Sequence, residues 1–221
     1  MGRPSIYGPS GAMRSRLLVF AAATCLLLGA SGPLRSSSEA TDPTAAQLMD
    51  DLMWGNGPVG GPFALTDHVG QRRTDADFRG KLLLIYFGYL FCPDICPTDL
   101  QAMGSAIDRL GASGEAVQPL FITLDPERDT PDRLADYVAA FHPRFVGLTG
   151  SEEEIKSIAR AYKVSYSRAN DPRTTDYILN HSAFIYLLDR DGKYLGFFPP
   201  GTTADRLIEI LRPQVTRPPG R

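Results

Sequence analysis

Cysteine is scarce in this sequence, with three residues in 221 positions. One of them, Cys25, lies in an apolar N-terminal run, so the rest of the chain carries only Cys92 and Cys96. A disulfide between residues this close would constrain the unfolded chain far less than one that closes a long loop. A purely structural crosslink is therefore the weaker interpretation, and we expect the pair to act as metal ligands or redox groups.

The sequence also lacks an excess of charge of either sign, since its formal net charge is -2. This balance does not favour a nucleic-acid partner or a polybasic membrane-surface protein. We find no internal repeat and no low-complexity tract apart from a Pro-rich C-terminal tail. The length and the 43% content of hydrophobic residues predict one globular domain with additional segments.

The apolar run from Leu17 to Ala30 is shorter than the roughly 20 residues of a comfortable membrane-spanning helix. It follows Arg14 and Arg16 and precedes small polar residues, which is typical of an export signal that sends the domain out of the cytoplasm. A retained membrane anchor is the alternative to a cleaved signal. We expect four segments: residues 1–40 as signal peptide or anchor, 41–61 as flexible linker, 62–213 as the folded domain and 214–221 as the tail.

Two unbroken apolar runs, KLLLIYFGY and QPLFITLD, predict strands that are buried on both faces. A helix that ends near Leu110 lies between them, which makes a βαβ unit. Further helices are predicted at Thr130-Pro131-Asp132 and at Ser151, where Glu154 completes a capping box.

The C-terminal third predicts an inserted loop or hairpin over residues 164–180, then the strands HSAFIYLLD and KYLGFF, then a last helix. This order of elements predicts an α/β, thioredoxin-like fold. In that fold a central mixed sheet is flanked by helices, and here a loop or hairpin precedes the penultimate strand.

Cys92 and Cys96 lie where the central strand gives way to a helix, a position where open α/β sheets place ligands and backbone amides stabilise a thiolate. Pro97 suits the first helical position, which would make Cys96 the cap and leave Cys92 in the preceding coil. Three residues separate the two cysteines, whereas a redox CxxC pair has two. This wider spacing favours a shared metal.

Two soft thiolates favour Cu(I), and imidazole suits copper in either oxidation state, so a histidine would complete a three-coordinate site. Of the three histidines, His68 is expected in a turn and His142 at a helix end. His181 opens the predicted penultimate strand, whose N-terminal end faces the cysteines in a thioredoxin-like layout. The candidate copper ligands are Cys92, Cys96 and His181.

Four segments together resemble the Sco/SenC proteins: YFGYLFCPDICPTDL, ITLDPERDTPDRL, FVGLTGSEEEI with ARAYKVSYS, and DYILNHSAFIYLLDRDG. The resemblance covers about residues 62–211 and implies an exported protein of the bacterial periplasm or the mitochondrial intermembrane space. It also implies that the protein binds one copper ion, as Cu(I) or Cu(II), and helps to assemble the binuclear copper centre of cytochrome c oxidase.

Cys92, Cys96 and His181 match the three ligands of that family. Asp125 matches an acid near the site, which would orient the histidine or tune the copper. The alternative for Asp125 is a turn-forming residue before Pro126.

Two functions remain open. A metallochaperone would hand copper to the copper-binding subunit of cytochrome c oxidase without turning over a substrate. Another periplasmic copper chaperone and a thioredoxin-like reductant would be its further partners, with membrane contact through an uncleaved N-terminal segment. A thiol-disulfide reductase would instead use redox-active Cys92 and Cys96 to keep the acceptor's cysteines reduced. A thiol peroxidase is disfavoured, because Tyr89 stands where that family has threonine.

Overall fold

The computed structural model describes residues 44–54, 57–170 and 176–217. The expected signal peptide or anchor lies outside these residues, as does the end of the tail after residue 217. None of the helices within the described ranges has the length and apolar character needed to cross a membrane.

Within the described residues, five helices and nine strands are formed. The helices are α1 (Ala45–Trp54), α2 (Ile95–Arg109), α3 (Pro131–Ala139), α4 (Glu152–Ala161) and α5 (Ala204–Val215). The strands are β1 (Ala64–Asp67), β2 (Arg72–Thr74), β3 (Leu82–Gly88), β4 (Val117–Thr123), β5 (Val146–Thr149), β6 (Tyr166–Asn170), β7 (Tyr177–His181), β8 (Ile185–Leu188) and β9 (Tyr194–Phe198). Two short 3-10 helices cover Asp75–Phe78 and Gly111–Ala116.

Seven of the strands form one mixed sheet in the order β2-β1-β5-β4-β3-β8-β9. The central strands β3, β4 and β5 are parallel, and β8 and β1 pair with them antiparallel. Every residue of β3 is buried, as its unbroken apolar run predicts. The α/β, thioredoxin-like class expected from the sequence is confirmed.

The insertion expected before the penultimate strand is the hairpin of β6 and β7, which forms a separate two-stranded sheet. In its register His181 is paired with Tyr166. His181 therefore ends β7, and the expectation that it opens the penultimate strand is wrong, since β8 begins only at Ile185. The residues between the two strands carry the chain from the hairpin back to the main sheet.

The segment expected to be a flexible linker contains α1. Leu48 and Leu52, four residues apart on one face of this helix, are both buried. The helix starts with a reciprocal pair of bonds: the Thr44 N–H donates to Gln47 Oε1 at 2.7 Å, and the Gln47 N–H donates to Thr44 Oγ1 at 3.3 Å. At the other end of the chain, α5 continues to Val215 with Pro213 inside it.

Candidate metal centre

The cysteine loop, which we define as residues 89–94, joins the end of β3 to the start of α2. Asp94 precedes the first helical residue, so Cys96 is the second residue of α2 and Cys92 lies in the loop. The sequence expectation that Pro97 opens this helix is therefore wrong. Proline fits the third position as well, because none of the first N–H groups of a helix has an intrahelical partner.

Cys92, Cys96 and His181 come together at the end of β3. Their ligand atoms, two Sγ and one imidazole nitrogen, all lie within 4.8 Å of one another. Cys96 Sγ lies 3.4 Å from His181 Nε2. Both thiols are free, Cys96 is fully buried and Cys92 is 9% exposed.

The imidazole ring of His181 is oriented by its neighbours. Its Nδ1 lies 3.3 Å from the Ser182 carbonyl oxygen, which can only accept a hydrogen bond. A proton on Nδ1 satisfies this contact, and Nε2 is the ring nitrogen that faces the Cys96 sulfur. The rings of Tyr86 and Tyr89 pack edge-on against the imidazole, with centroid distances of 6.5 and 5.8 Å.

The two thiols differ in acidity. Hydrogen bonding from Cys96 lowers the pKa of Cys92 well below its usual range, with further contributions from His181 and the backbone N–H groups of Asp94 and Cys96. The same interaction with Cys92, together with burial, raises the pKa of Cys96. The free pair therefore holds one negative charge at neutral pH, carried mainly by Cys92.

Gly88, the last residue of β3, leaves the space that the Cys96 sulfur occupies. A Cβ atom at this position would lie 2.9 Å from Cys96 Sγ and 3.0 Å from ring atoms of both Phe121 and Tyr86. The sequence pattern marks Gly88 only as the end of an apolar run. Its steric role could not have been predicted without knowing which side chain approaches it.

Asp125 is buried, but its carboxylate points to partners other than His181. Oδ1 accepts a hydrogen bond from the Tyr177 hydroxyl at 2.7 Å, and Oδ2 forms an ion pair with Arg128 at 2.5 Å. Tyr177 is the first residue of β7, the strand that His181 ends. The influence of Asp125 on the histidine stays a prediction, and Tyr177 offers one connection to it along this strand.

The other two histidines accept hydrogen bonds from backbone N–H groups. His68 Nδ1 accepts a hydrogen bond from the Gly147 N–H, and His142 Nδ1 accepts one from the Arg144 N–H, each at 3.1 Å. Across residues 44–54, 57–170 and 176–217, no second group of three His, Cys, Asp or Glu side chains converges in this way.

A family model and individual known proteins both relate this chain to the same family. The SCO1/SenC family model matches residues 53–216. "Protein sco1" of Schizosaccharomyces pombe is 47% identical over 71% of this chain and 61% of its own length. The mitochondrial "Protein SCO1 homolog" of Homo sapiens is 40% identical over 89% of this chain and 64% of its own. The chain thus spans less than two thirds of both relatives.

A bacterial relative matches over nearly its whole length. A "SCO2-like protein" of Rickettsia felis is 40% identical over 89% of this chain and 92% of its own. Among solved structures, Arabidopsis thaliana ScoI with copper bound is similar with a TM-score of 0.67 and 40% identity. That similarity covers 71% of this chain and 98% of the plant protein.

Proposed function

The chain belongs to the SCO1/SenC family, and from this premise we propose that it is a copper chaperone that binds one copper ion through Cys92, Cys96 and His181. The observation that carries the proposal is the convergence of two sulfurs and one imidazole nitrogen within 4.8 Å. Two thiolates and an imidazole are a ligand set suited to Cu(I), and the imidazole also serves Cu(II). The copper-bound Arabidopsis relative supports the same cargo.

Each of the three residues has a different role in binding copper. Cys92 is already a thiolate at neutral pH, so it is the natural first ligand of an arriving ion. Cys96 must lose its proton as copper binds, and the positive charge of the metal makes that loss favourable. His181 would bind copper through Nε2, which lies 3.4 Å from Cys96 Sγ, while Nδ1–H can donate to the Ser182 carbonyl.

Release is expected through the exposed side of the site. Cys92 and the half-buried His181 border the surface, whereas Cys96 lies behind them. An acceptor's own ligands can therefore replace the outer two first, in a stepwise exchange. We propose the copper-binding subunit of cytochrome c oxidase as the acceptor. Another periplasmic copper chaperone is proposed as the donor, and a thioredoxin-like protein as the source of electrons that keep the cysteines reduced.

Export to the periplasm or the mitochondrial intermembrane space fits this role, because bacterial and mitochondrial relatives are both found. We propose that the N-terminal segment directs this export, either as a cleaved signal or as a retained anchor. Either form would keep the site outside the cytoplasm.

A competition titration tests the site. The reduced protein is titrated with Cu(I) against a coloured chelator, for wild type, His181→Ala and the control His68→Ala. We expect one copper per chain, and an affinity loss of at least about tenfold for His181→Ala alone, because a direct ligand is removed. Equal affinities for wild type and His181→Ala would refute the three-ligand site.

A thiol-disulfide reductase is the second candidate, and the unequal acidity of the two thiols favours it. A surface-near thiolate with a buried thiol behind it can attack a disulfide and then resolve the mixed disulfide. The test is to mix the reduced, copper-free protein with an oxidised copper-acceptor domain and to follow the acceptor's thiols. If the acceptor stays oxidised while copper transfer remains intact, the reductase role is excluded.

A further inference from the structure

Asp129 is a fully buried carboxylate near the site, in the turn between β4 and α3, and neither proposed function uses it. Burying a carboxylate is costly unless it accepts hydrogen bonds. Its Oδ2 accepts two, whereas Oδ1 is buried without a partner in the part of the chain that the structure describes. Burial raises the pKa of this carboxyl to about 6, which reflects that cost.

The first bond of Asp129 holds the cysteine loop. The Leu90 N–H donates to Oδ2 at 3.1 Å, two residues before Cys92. The Cys92 N–H in turn donates to the Tyr89 carbonyl at 3.2 Å, which closes a tight turn next to Leu90. Asp129 thus ties the turn that carries the first sulfur to the end of the neighbouring strand.

The second bond connects this loop to the backbone of a second buried acid, Asp125. The Thr123 hydroxyl donates to Asp129 Oδ2 at 2.6 Å, and Thr123 Oγ1 in turn accepts a hydrogen bond from the Asp125 N–H at 2.9 Å. Thr123 is the last residue of β4 and is fully buried. One threonine side chain therefore links the Asp129 carboxylate to the backbone of Asp125.

Asp125 and its ion-pair partner Arg128 contact the hairpin that carries His181. Besides the bond from the Tyr177 hydroxyl, the guanidinium of Arg128 donates to the Tyr177 carbonyl at 3.0 Å and stacks 3.7 Å from the ring centroid. Arg128 is itself ion-paired with Asp125. Tyr177 is thereby held at the start of β7, and the pairing of β7 with β6 connects that position to His181.

Cys96 and His181 are 85 residues apart in sequence, and the hairpin belongs to a different sheet from β3, which leads into the cysteine loop. Their separation therefore depends on tertiary contacts. We propose that Asp129 is a positioning residue that, through Thr123, holds the cysteine loop in register with the His181 hairpin and so presets the distance between the metal ligands. This inference rests on the copper-binding function proposed above.

The test compares Asp129→Asn with Asp67→Asn in the reduced protein. Asp67 is an equally buried carboxylate that accepts hydrogen bonds from the Val69 and Gln71 N–H groups, at another edge of the sheet. Cu(I) affinity, stability to urea and the visible absorption of the Cu(II) form are measured. For Asp129→Asn we expect about 10- to 100-fold weaker binding and a shifted absorption band. Asp67→Asn should lose stability alone.

A second pair of variants covers the case in which Asp129→Asn does not fold. Thr123→Val removes the shared hydroxyl at nearly constant volume, and Thr149→Val, on β5, is its control. In the copper-free reduced protein, we expect Thr123→Val to speed hydrogen exchange at the Leu90 amide and to shift the imidazole resonances of His181. Thr149→Val should leave both unchanged.

The outcomes separate this inference from the function on which it rests. If the wild type binds no copper, the proposed function fails, and the copper-free measurements still decide whether the network positions the two segments. If the Asp129 and Thr123 variants keep wild-type affinity, absorption, exchange and resonances, the positioning role is refuted. A loss of stability alone, equal to that of the controls, would likewise refute it.

Discussion

At the residue scale, the two cysteines have opposite surroundings although only three residues separate them. Cys92 receives hydrogen bonds from Cys96, from His181 and from backbone N–H groups. Cys96 is fully enclosed and shares its proton with the Cys92 sulfur. This asymmetry suits both copper capture and thiol exchange, because each begins with a single reactive thiolate.

Alkylation should reveal this asymmetry. At about pH 6, iodoacetamide should modify Cys92 in the native reduced protein, while Cys96 reacts only after unfolding. Removing the largest cause of the lowered pKa, with Cys96→Ala, should slow the modification of Cys92 at that pH. Cys96→Ser keeps a donor and should fall between the two. Peptide mass spectrometry measures the rates, and equal native rates for both thiols would contradict the assignment.

Asp129 should make the stability of the protein depend on pH. Burial raises its pKa in the folded state from the ordinary 3.8 to about 6, against the opposing hydrogen bonds from Thr123 and Leu90. A raised carboxyl pKa means that the folded state binds the proton more tightly. This proton binding stabilises the folded state fully at pH values below the pKa of Asp129 in the unfolded chain. The stabilisation is lost as pH rises through about 6, the pKa of Asp129 in the folded state.

The difference in unfolding free energy between wild type and Asp129→Asn should therefore shift by about 2 kcal/mol in favour of wild type from about pH 7.5 to about pH 4.5. Urea unfolding at the two pH values measures it. Groups that titrate equally in both proteins cancel in this comparison. A difference that stays constant with pH would show that Asp129 titrates normally.

At the element scale, the site depends on how closely α2 approaches the end of β3. Gly88→Ala should cost about 1–3 kcal/mol of stability and weaken copper binding, because the new methyl group pushes the Cys96 sulfur out of place. Gly147→Ala is a matched control, since its Cβ would lie 3.2 Å from Leu134 and Val138 side-chain atoms. Chelator competition should show weaker binding only for Gly88→Ala. Equal affinities for the two variants would contradict this role of Gly88.

Local signals predicted many of the elements. The unbroken apolar run of β3 and the capping box of Ser151 and Glu154 each act over a few residues, and both are confirmed. Pro131 likewise opens α3, with Thr130 as the residue before it. Such features can be predicted because the sequence alone supplies both partners of the interaction.

The elements that were misjudged depend on distant partners. The Gly- and Pro-rich surroundings of α1 suggested a linker, although Thr44 and Gln47 have capping-box spacing and Leu48 and Leu52 lie four residues apart. Burial of these two leucines stabilises α1, and that burial depends on packing against residues that are distant in the sequence. The end of β7 at His181 is set by its pairing with Tyr166, which is equally nonlocal.

At the scale of the whole molecule, the fold brings together groups that the sequence keeps far apart. The sequence predicted the three candidate ligands because cysteine and histidine are rare here and chemically distinctive. It did not predict Asp129, Thr123 or Gly88, because their roles depend on which atoms meet across the sheet. The site thus forms only when the packed strands β3 and β4 and the separate β6–β7 hairpin come together.

X-ray absorption at the copper edge tests the central claim most directly. The reduced chain, loaded with one equivalent of Cu(I), should show two sulfur ligands and one imidazole nitrogen, and His181→Ala should lose the nitrogen while keeping both sulfurs. His68→Ala should give the wild-type spectrum. A His181→Ala spectrum identical to that of the wild type, or a wild-type site without two sulfurs, would contradict copper binding by Cys92, Cys96 and His181.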